Sequence, residues 1–114
     1  MLSNSQAGLL YVCATPIGDL NDISERCLSV LSTVDLIAAE DTRDAEKRLK
    51  QWGIKRPLLS LEKFNEASRC ETIRNRCLSG QNIALISDAG TPGISDPGYR
   101  LVRDLQAHGI QVLS

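Results

Sequence analysis

The chain reads as an α/β domain: a three-layer α/β/α arrangement built on a five-stranded parallel sheet. Three observations predict this. Apolar runs of four to six residues alternate with segments of helical period, as strands alternate with crossover helices. Glycines close the predicted helices at Gly53, Gly80 and Gly109. Polar loops follow the first, second and fourth apolar runs, where the carboxyl ends of parallel strands gather a site.

The first strand is expected over residues 9–14, preceded by an N-terminal tail at 1–8 that is disordered or extended. The start resembles a lipoprotein signal only superficially, because it lacks a basic segment and Val12 stands before Cys13 where such signals carry a small residue. Gly18 turns the chain into a first helix with Asp22 as N-cap and Glu25 three residues on, and with Ile23, Cys27, Leu28, Leu31 and Val34 on one face. Strand two covers 36–39 and helix two 43–52, with Ala45, Leu49 and Trp52 inward. Strand three covers 58–61, and helix three 66–79 has the apolar stripe Cys70, Ile73 and Cys77. Strand four covers 83–87. The last helix takes Asp96 as cap and Pro97 at its first position, buries Leu101, Val102 and Leu105, and leads to strand five at 111–113.

Residues 9–114 thus form one domain, large enough and, at 42% hydrophobic, apolar enough to bury a core. Thirteen Lys and Arg against fourteen Asp and Glu leave a net charge of −1, so any contact with a polyanion must come from a local patch. No run approaches the roughly 20 apolar residues of a membrane span. The four cysteines form no C-x-x-C pair and sit among apolar neighbours, which suits reduced core thiols in a cytoplasmic protein. Cys70 and Cys77, seven apart on one helix, lie ~10 Å from each other at ~1.5 Å per residue, too far for a disulfide. One histidine, His108, with scattered cysteines does not make a zinc site, and no metal is expected. His108 itself is explained by the dipole at a helix C-terminus.

Residues 87–98, SDAGTPGISDPG, carry three glycines and two prolines directly after an apolar run. Glycine lets backbone N–H groups approach a ligand and proline stiffens the loop, so this is a binding loop. It carries no Gly-Lys-Ser/Thr and is therefore not a P-loop. Gly18 alone, with Glu40 about where a ribose-binding acid lies, does not make a dinucleotide fingerprint. Glu40 and Asp41 are adjacent and point to opposite faces of an extended segment. One can cap the second helix while the other orients a substrate hydroxyl or accepts its proton. Between Arg43 and Arg56, six basic residues stand against Asp44 and Glu46, a local charge of +4. That is either a solvated helix face or, if the partner is RNA, a phosphate-binding stretch.

Three segments carry a family resemblance: ATPIGDL from Ala14, VDLIAAEDTR from Val34, and ALISDAGTPGISDPGYRLVR from Ala84. They resemble the small-subunit ribosomal RNA cytidine 2′-O-methyltransferases of the tetrapyrrole methylase superfamily. The resemblance covers residue 9 to the end. It implies strand order 3-2-4-1-5 and a cytoplasmic, homodimeric enzyme. That enzyme transfers a methyl group from S-adenosylmethionine to the ribose 2′-hydroxyl of a decoding-centre cytidine in 16S ribosomal RNA. It also implies a second domain beyond the fifth strand, absent from this chain, so that this chain is expected to be an amino-terminal half, inactive alone.

Carried over by motif, Pro16, Ile17 and Gly18 with Asp88, Ala89, Gly90, Thr91, Pro92, Gly93 and Ile94 line the cofactor cleft. Glu40, Asp41 and Arg43 face the reacting ribose as the catalytic group. Lys47, Arg48, Lys50, Lys55 and Arg56 are the expected RNA contacts. The wording departs from the family at Asp44 and Ala45, where His-Thr is usual, and at Leu61 to Phe64, where a tyrosine and two histidines are usual. Two other functions stay open on the residues: a tetrapyrrole or other small-molecule acceptor, and a non-catalytic RNA-binding or dimerisation module.

Overall fold

In the computed structural model, which describes residues 7–16, 19–88 and 96–114, five strands form one sheet in the order β3-β2-β4-β1-β5. The strands are β1 (Leu10–Thr15), β2 (Leu36–Ala39), β3 (Leu58–Ser60), β4 (Ile83–Asp88) and β5 (Val112–Leu113), and every pairing is parallel. Four helices make the crossovers: α1 (Glu25–Thr33), α2 (Thr42–Gln51), α3 (Glu66–Leu78) and α4 (Asp96–Ala107). Strand order and element order agree with the sequence-based expectation, and the bounds shift by a residue or so at each end.

The pleat sorts the core into two layers. Leu10, Leu36, Ala38, Ile83 and Leu85 point to one face, where Cys70, Ile73 and Cys77 of α3 and Leu101 and Leu105 of α4 cover them. Cys13, Ile37 and Ala84 point to the other, beneath Leu31 of α1 and Leu49 of α2. Each of these large aliphatic side chains contributes about 1.5–3 kcal/mol by leaving water. Val102 is only half-buried, packed at the margin of the first layer. Across that layer Arg74 Nη1 donates to both carboxylate oxygens of Asp104, at 2.9 and 3.0 Å, tying α3 to α4.

Helix starts follow their caps. The first helix begins later than the sequence suggested: Ser24 Oγ, not the Asp22 side chain, is its N-cap and accepts from Cys27 N–H at 3.1 Å. Asp22 instead ends a short 3-10 turn (Leu20–Asp22), and the extended backbone of Ile23 (φ −65°, ψ 137°) separates the two. Asp41 Oδ1 caps α2, accepting from Arg43 N–H and Asp44 N–H at 3.1 Å each. At the other end Gly53 takes φ +72°, with its N–H bonded to Lys50 O and that of Ile54 to Leu49 O. Gly8 is buried with its N–H donating to Cys77 O, so it packs against the end of α3 ahead of β1.

Candidate functional site

Thr15 and Asp88 are partners in the β1–β4 register, so the two strands end side by side. The helices they lead to lie on opposite faces, α1 over one and α4 over the other. Adjacent strands whose connections diverge in this way open a crevice at their carboxyl ends, the place where ligands bind in doubly wound sheets. Of the sequence-predicted cofactor residues, two are described at this crevice. Pro16 and the backbone of Asp88 stand at its mouth; Ile17, Gly18, Ala89, Gly90, Thr91, Pro92, Gly93 and Ile94 lie outside the described residues.

The mouth is held from α2. Thr15 is fully buried, and its hydroxyl accepts from Arg48 Nη1 at 3.1 Å; the same nitrogen reaches Pro16 O at 3.4 Å. Arg48 Nη2 pairs with Asp44 at 3.0 Å, and the arginine side chain is only 13% exposed. Arg48 therefore departs from the phosphate-facing role expected for it. The reason is positional: Asp44 one turn earlier steers the guanidinium along the helix toward β1, where a buried hydroxyl and a carbonyl need donors.

Beside the crevice, β2 delivers the acidic pair. Asp41 spends one oxygen on the α2 cap, while Glu40 is exposed and makes no hydrogen bond or ion pair among the described residues. Asp41 is thus structural, and Glu40 is exposed at the carboxyl end of β2. Arg43, one position into the helix from Thr42, is exposed beside them.

The other expected RNA contacts separate. Arg56 donates from Nε and Nη2 to Ser32 O at 3.0 and 2.6 Å, holding the end of α1. Lys47, Lys50 and Lys55 are exposed and have no ionic or hydrogen-bond partner among the described residues. They surround a groove of about 580 Å³ between α2 and the start of β3. This groove is at the amino ends of the strands, away from the crevice.

Two features were missed in the sequence. Thr15 looks like the polar end of an apolar run, and its only signal is that it closes β1 directly before Pro16. Phe64 is 82% exposed, although an aromatic residue is ordinarily read as core. All four cysteines are free: Cys13, Cys70 and Cys77 buried and Cys27 half-buried. Burial, with a smaller push from Cys27, raises the Cys13 thiol to about 12, and burial raises Cys77 to about 11. Among the described residues no group of His, Cys, Asp and Glu could hold a metal ion, and no helix is long and apolar enough to cross a membrane.

The sequence profile of the Tetrapyrrole (Corrin/Porphyrin) Methylases matches residues 9–113. The chain belongs to the tetrapyrrole methylase family. Two curated relatives of this methylase domain are named Ribosomal RNA small subunit methyltransferase I. That of Pasteurella multocida is 50% identical over 96% of this chain and 39% of its own length. That of Xylella fastidiosa is 52% identical over 95% of this chain and 40% of its own. The chain spans about 40% of the length of these relatives. Among solved structures, diphthine synthase superposes with a TM-score of 0.72 at 17% identity, over 93% of this chain and 43% of the other. A uroporphyrin-III-C-methyltransferase from Thermus thermophilus gives 0.69 at 16% identity, over 93% and 46%. These two likenesses establish the tetrapyrrole methylase fold and nothing finer.

Proposed function

We propose that this chain is the part of an S-adenosylmethionine-dependent methyltransferase that carries the cofactor crevice and the acidic edge. Its substrate in this reading is the ribose 2′-hydroxyl of a cytidine in 16S ribosomal RNA of the small subunit. The observation that carries the reading is identity at about half of the aligned positions, over 95–96% of this chain, to relatives named as ribosomal RNA methyltransferases. We place the enzyme in the cytoplasm and expect it to act as a homodimer.

The described residues fit such a cofactor. The crevice lies at the carboxyl ends of β1 and β4, and Arg48 fixes Thr15 and Pro16 at its mouth. Pro16, Ile17, Gly18 and the stretch from Asp88 to Ile94 would hold the ligand, chiefly through backbone groups. When bound, S-adenosylmethionine supplies an electrophilic methyl carbon on a sulfonium. Its methyl would pass to the ribose oxygen as the carbon–sulfur bond breaks and S-adenosylhomocysteine leaves, so orientation of the two reactants would provide most of the acceleration. Glu40 accepts the hydroxyl proton as the new O–C bond forms, because it is the carboxylate left free at this edge once Asp41 has capped α2.

Titration calorimetry of the full-length protein with S-adenosylhomocysteine is expected to show binding that Gly90→Val abolishes. Mass spectrometry of 16S RNA from cells lacking the gene is expected to show loss of one cytidine ribose methyl. Absence of cofactor binding overturns the methyltransferase reading; an intact RNA mark overturns the choice of acceptor.

A further inference from the structure

We propose that the outer edge of the sheet, along β3, is a track for single-stranded RNA: Lys47, Lys50 and Lys55 take backbone phosphates and Phe64 stacks an unpaired base. The proposal rests on the RNA methyltransferase reading and deepens it.

Two independent features mark the two ends of this edge. At the amino end of β3, the 580 Å³ groove presents the three lysines over Leu58, with Arg56 at its rim and Glu46 as its opposing acid. The lysines are exposed and unpaired among the described residues, although the chain as a whole carries a net charge of −1. A local concentration of free cations on such a chain fits a polyanion.

At the carboxyl end stands Phe64, 82% exposed. Its turn is not loose. Asn65 Oδ1 accepts from Glu62 N–H at 2.7 Å, Asn65 N–H returns a bond to Glu62 O at 3.1 Å, and Asn65 Nδ2 donates to Ser60 Oγ at 3.1 Å. Arg69 Nε fastens Ser60 O at 2.9 Å. An apolar ring held in water by a pinned turn is pre-organised for a flat partner, so little ordering entropy is lost on contact.

The placement also serves the reaction. Leu61 N–H bonds to Ala39 O at 2.9 Å, so the segment leading to Phe64 and the one leading to Glu40 leave the sheet from neighbouring strands. Between groove and ring runs β3, three residues or ~10 Å of outermost strand. A cationic groove joined to an aromatic platform is the arrangement that binds single strands, since the bases of a duplex are already stacked.

The test is fluorescence anisotropy of the full-length protein with a short unstructured RNA oligonucleotide and with the matching duplex, across a salt series. Phe64→Ala is expected to weaken single-strand binding roughly 5- to 150-fold, with Phe64→Trp retaining it. The combined Lys47→Ala, Lys50→Ala and Lys55→Ala variant is expected to lower the slope of log affinity against log salt by about 2. Unchanged affinity in Phe64→Ala, equal affinity for duplex, or no binding of the single strand by the unmodified protein overturns the track. A dimer lost on sedimentation of Phe64→Ala with RNA affinity intact overturns it too, and makes the ring a contact between copies. S-adenosylhomocysteine titration on the same samples separates the two readings. Cofactor binding with no effect of Phe64→Ala removes the track alone, and no cofactor binding by the unmodified protein removes the methyltransferase reading.

Discussion

Arg48 on α2 donates to the buried hydroxyl of Thr15, 3.1 Å away at the end of β1. The contact joins two parts of the chain 33 residues apart. A buried hydroxyl without a partner is costly, and a guanidinium with a carboxylate at one end and a hydroxyl and carbonyl at the other is held in one geometry. The exit of β1 and the helix that begins beside Glu40 therefore behave as one unit.

Arg48→Ala is expected to lose this clamp. The stability cost is about 1–3 kcal/mol by urea unfolding, the range for leaving a buried polar group such as the Thr15 hydroxyl unsatisfied. Because Pro16 begins the predicted cofactor segment, S-adenosylhomocysteine affinity is expected to fall at least several-fold in calorimetry. Arg48→Lys keeps the charge but cannot serve Thr15, Pro16 and Asp44 together, and recovers only part of either loss. A folded Arg48→Ala protein with unaltered affinity would show that the clamp is purely structural.

Asn65→Ala should loosen the Phe64 turn without touching the core. It removes the acceptor for Glu62 N–H and the donor to Ser60 Oγ, two bonds worth about 0.5–1.5 kcal/mol each. Asn65→Asp keeps the acceptor and loses only the donor, so its thermal midpoint should fall between those of the other two proteins. Equal midpoints for all three would mean that the turn is held by its backbone alone.

The fold was legible because each layer of the sequence repeats one message. The stripe Cys70, Ile73 and Cys77 recurs at helical spacing and is buried as spaced, and the runs at Leu36 and Ile83 are strands because both faces are covered. Local caps were less legible: Asp22 and Ser24 are both good caps two residues apart, and only the extended Ile23 decides between them. At the site, Asp41 was readable as a cap from its place before Thr42. Arg48 was not, since its partner Thr15 is distant in sequence and a run of cations reads as a solvated face. Phe64 was missed for the converse reason: residue type argues for burial, and only the fold shows a ring that has no core to enter.

Alkaline pH should destabilise the domain through its thiols. An unfolded thiol ionises near 9, whereas burial holds Cys13 protonated up to about 12 and Cys77 up to about 11, with Cys70 raised in the same direction. Above pH 9 the unfolded chain therefore releases protons that the folded chain keeps. The stabilisation is whole below pH 9 and is lost as pH rises toward 11 and 12, by about 1 kcal/mol per thiol at pH 10. Urea midpoints at pH 8 and pH 10 measure this, and Cys77→Ala should flatten the difference. A midpoint insensitive to pH over that interval, with all variants folded, would contradict the account.

Glu40 and Asp41, adjacent in sequence, should separate cleanly when each is neutralised. Asp41→Ala removes the acceptor for Arg43 N–H and Asp44 N–H and is expected to cost about 0.5–2 kcal/mol. Asp41→Asn retains a capping oxygen and should recover most of it. Glu40→Gln touches no cap and no partner among the described residues, so its unfolding midpoint should match that of the unmodified protein. In the full-length enzyme its methyl-transfer rate should instead fall by roughly 10²–10⁴, the usual contribution of a positioned general base. S-adenosylhomocysteine affinity should hold, because the loss belongs to the proton and not to the cofactor. If the rate follows Asp41→Asn and not Glu40→Gln, the capping carboxylate is also the base, and the division of roles between the two acids fails.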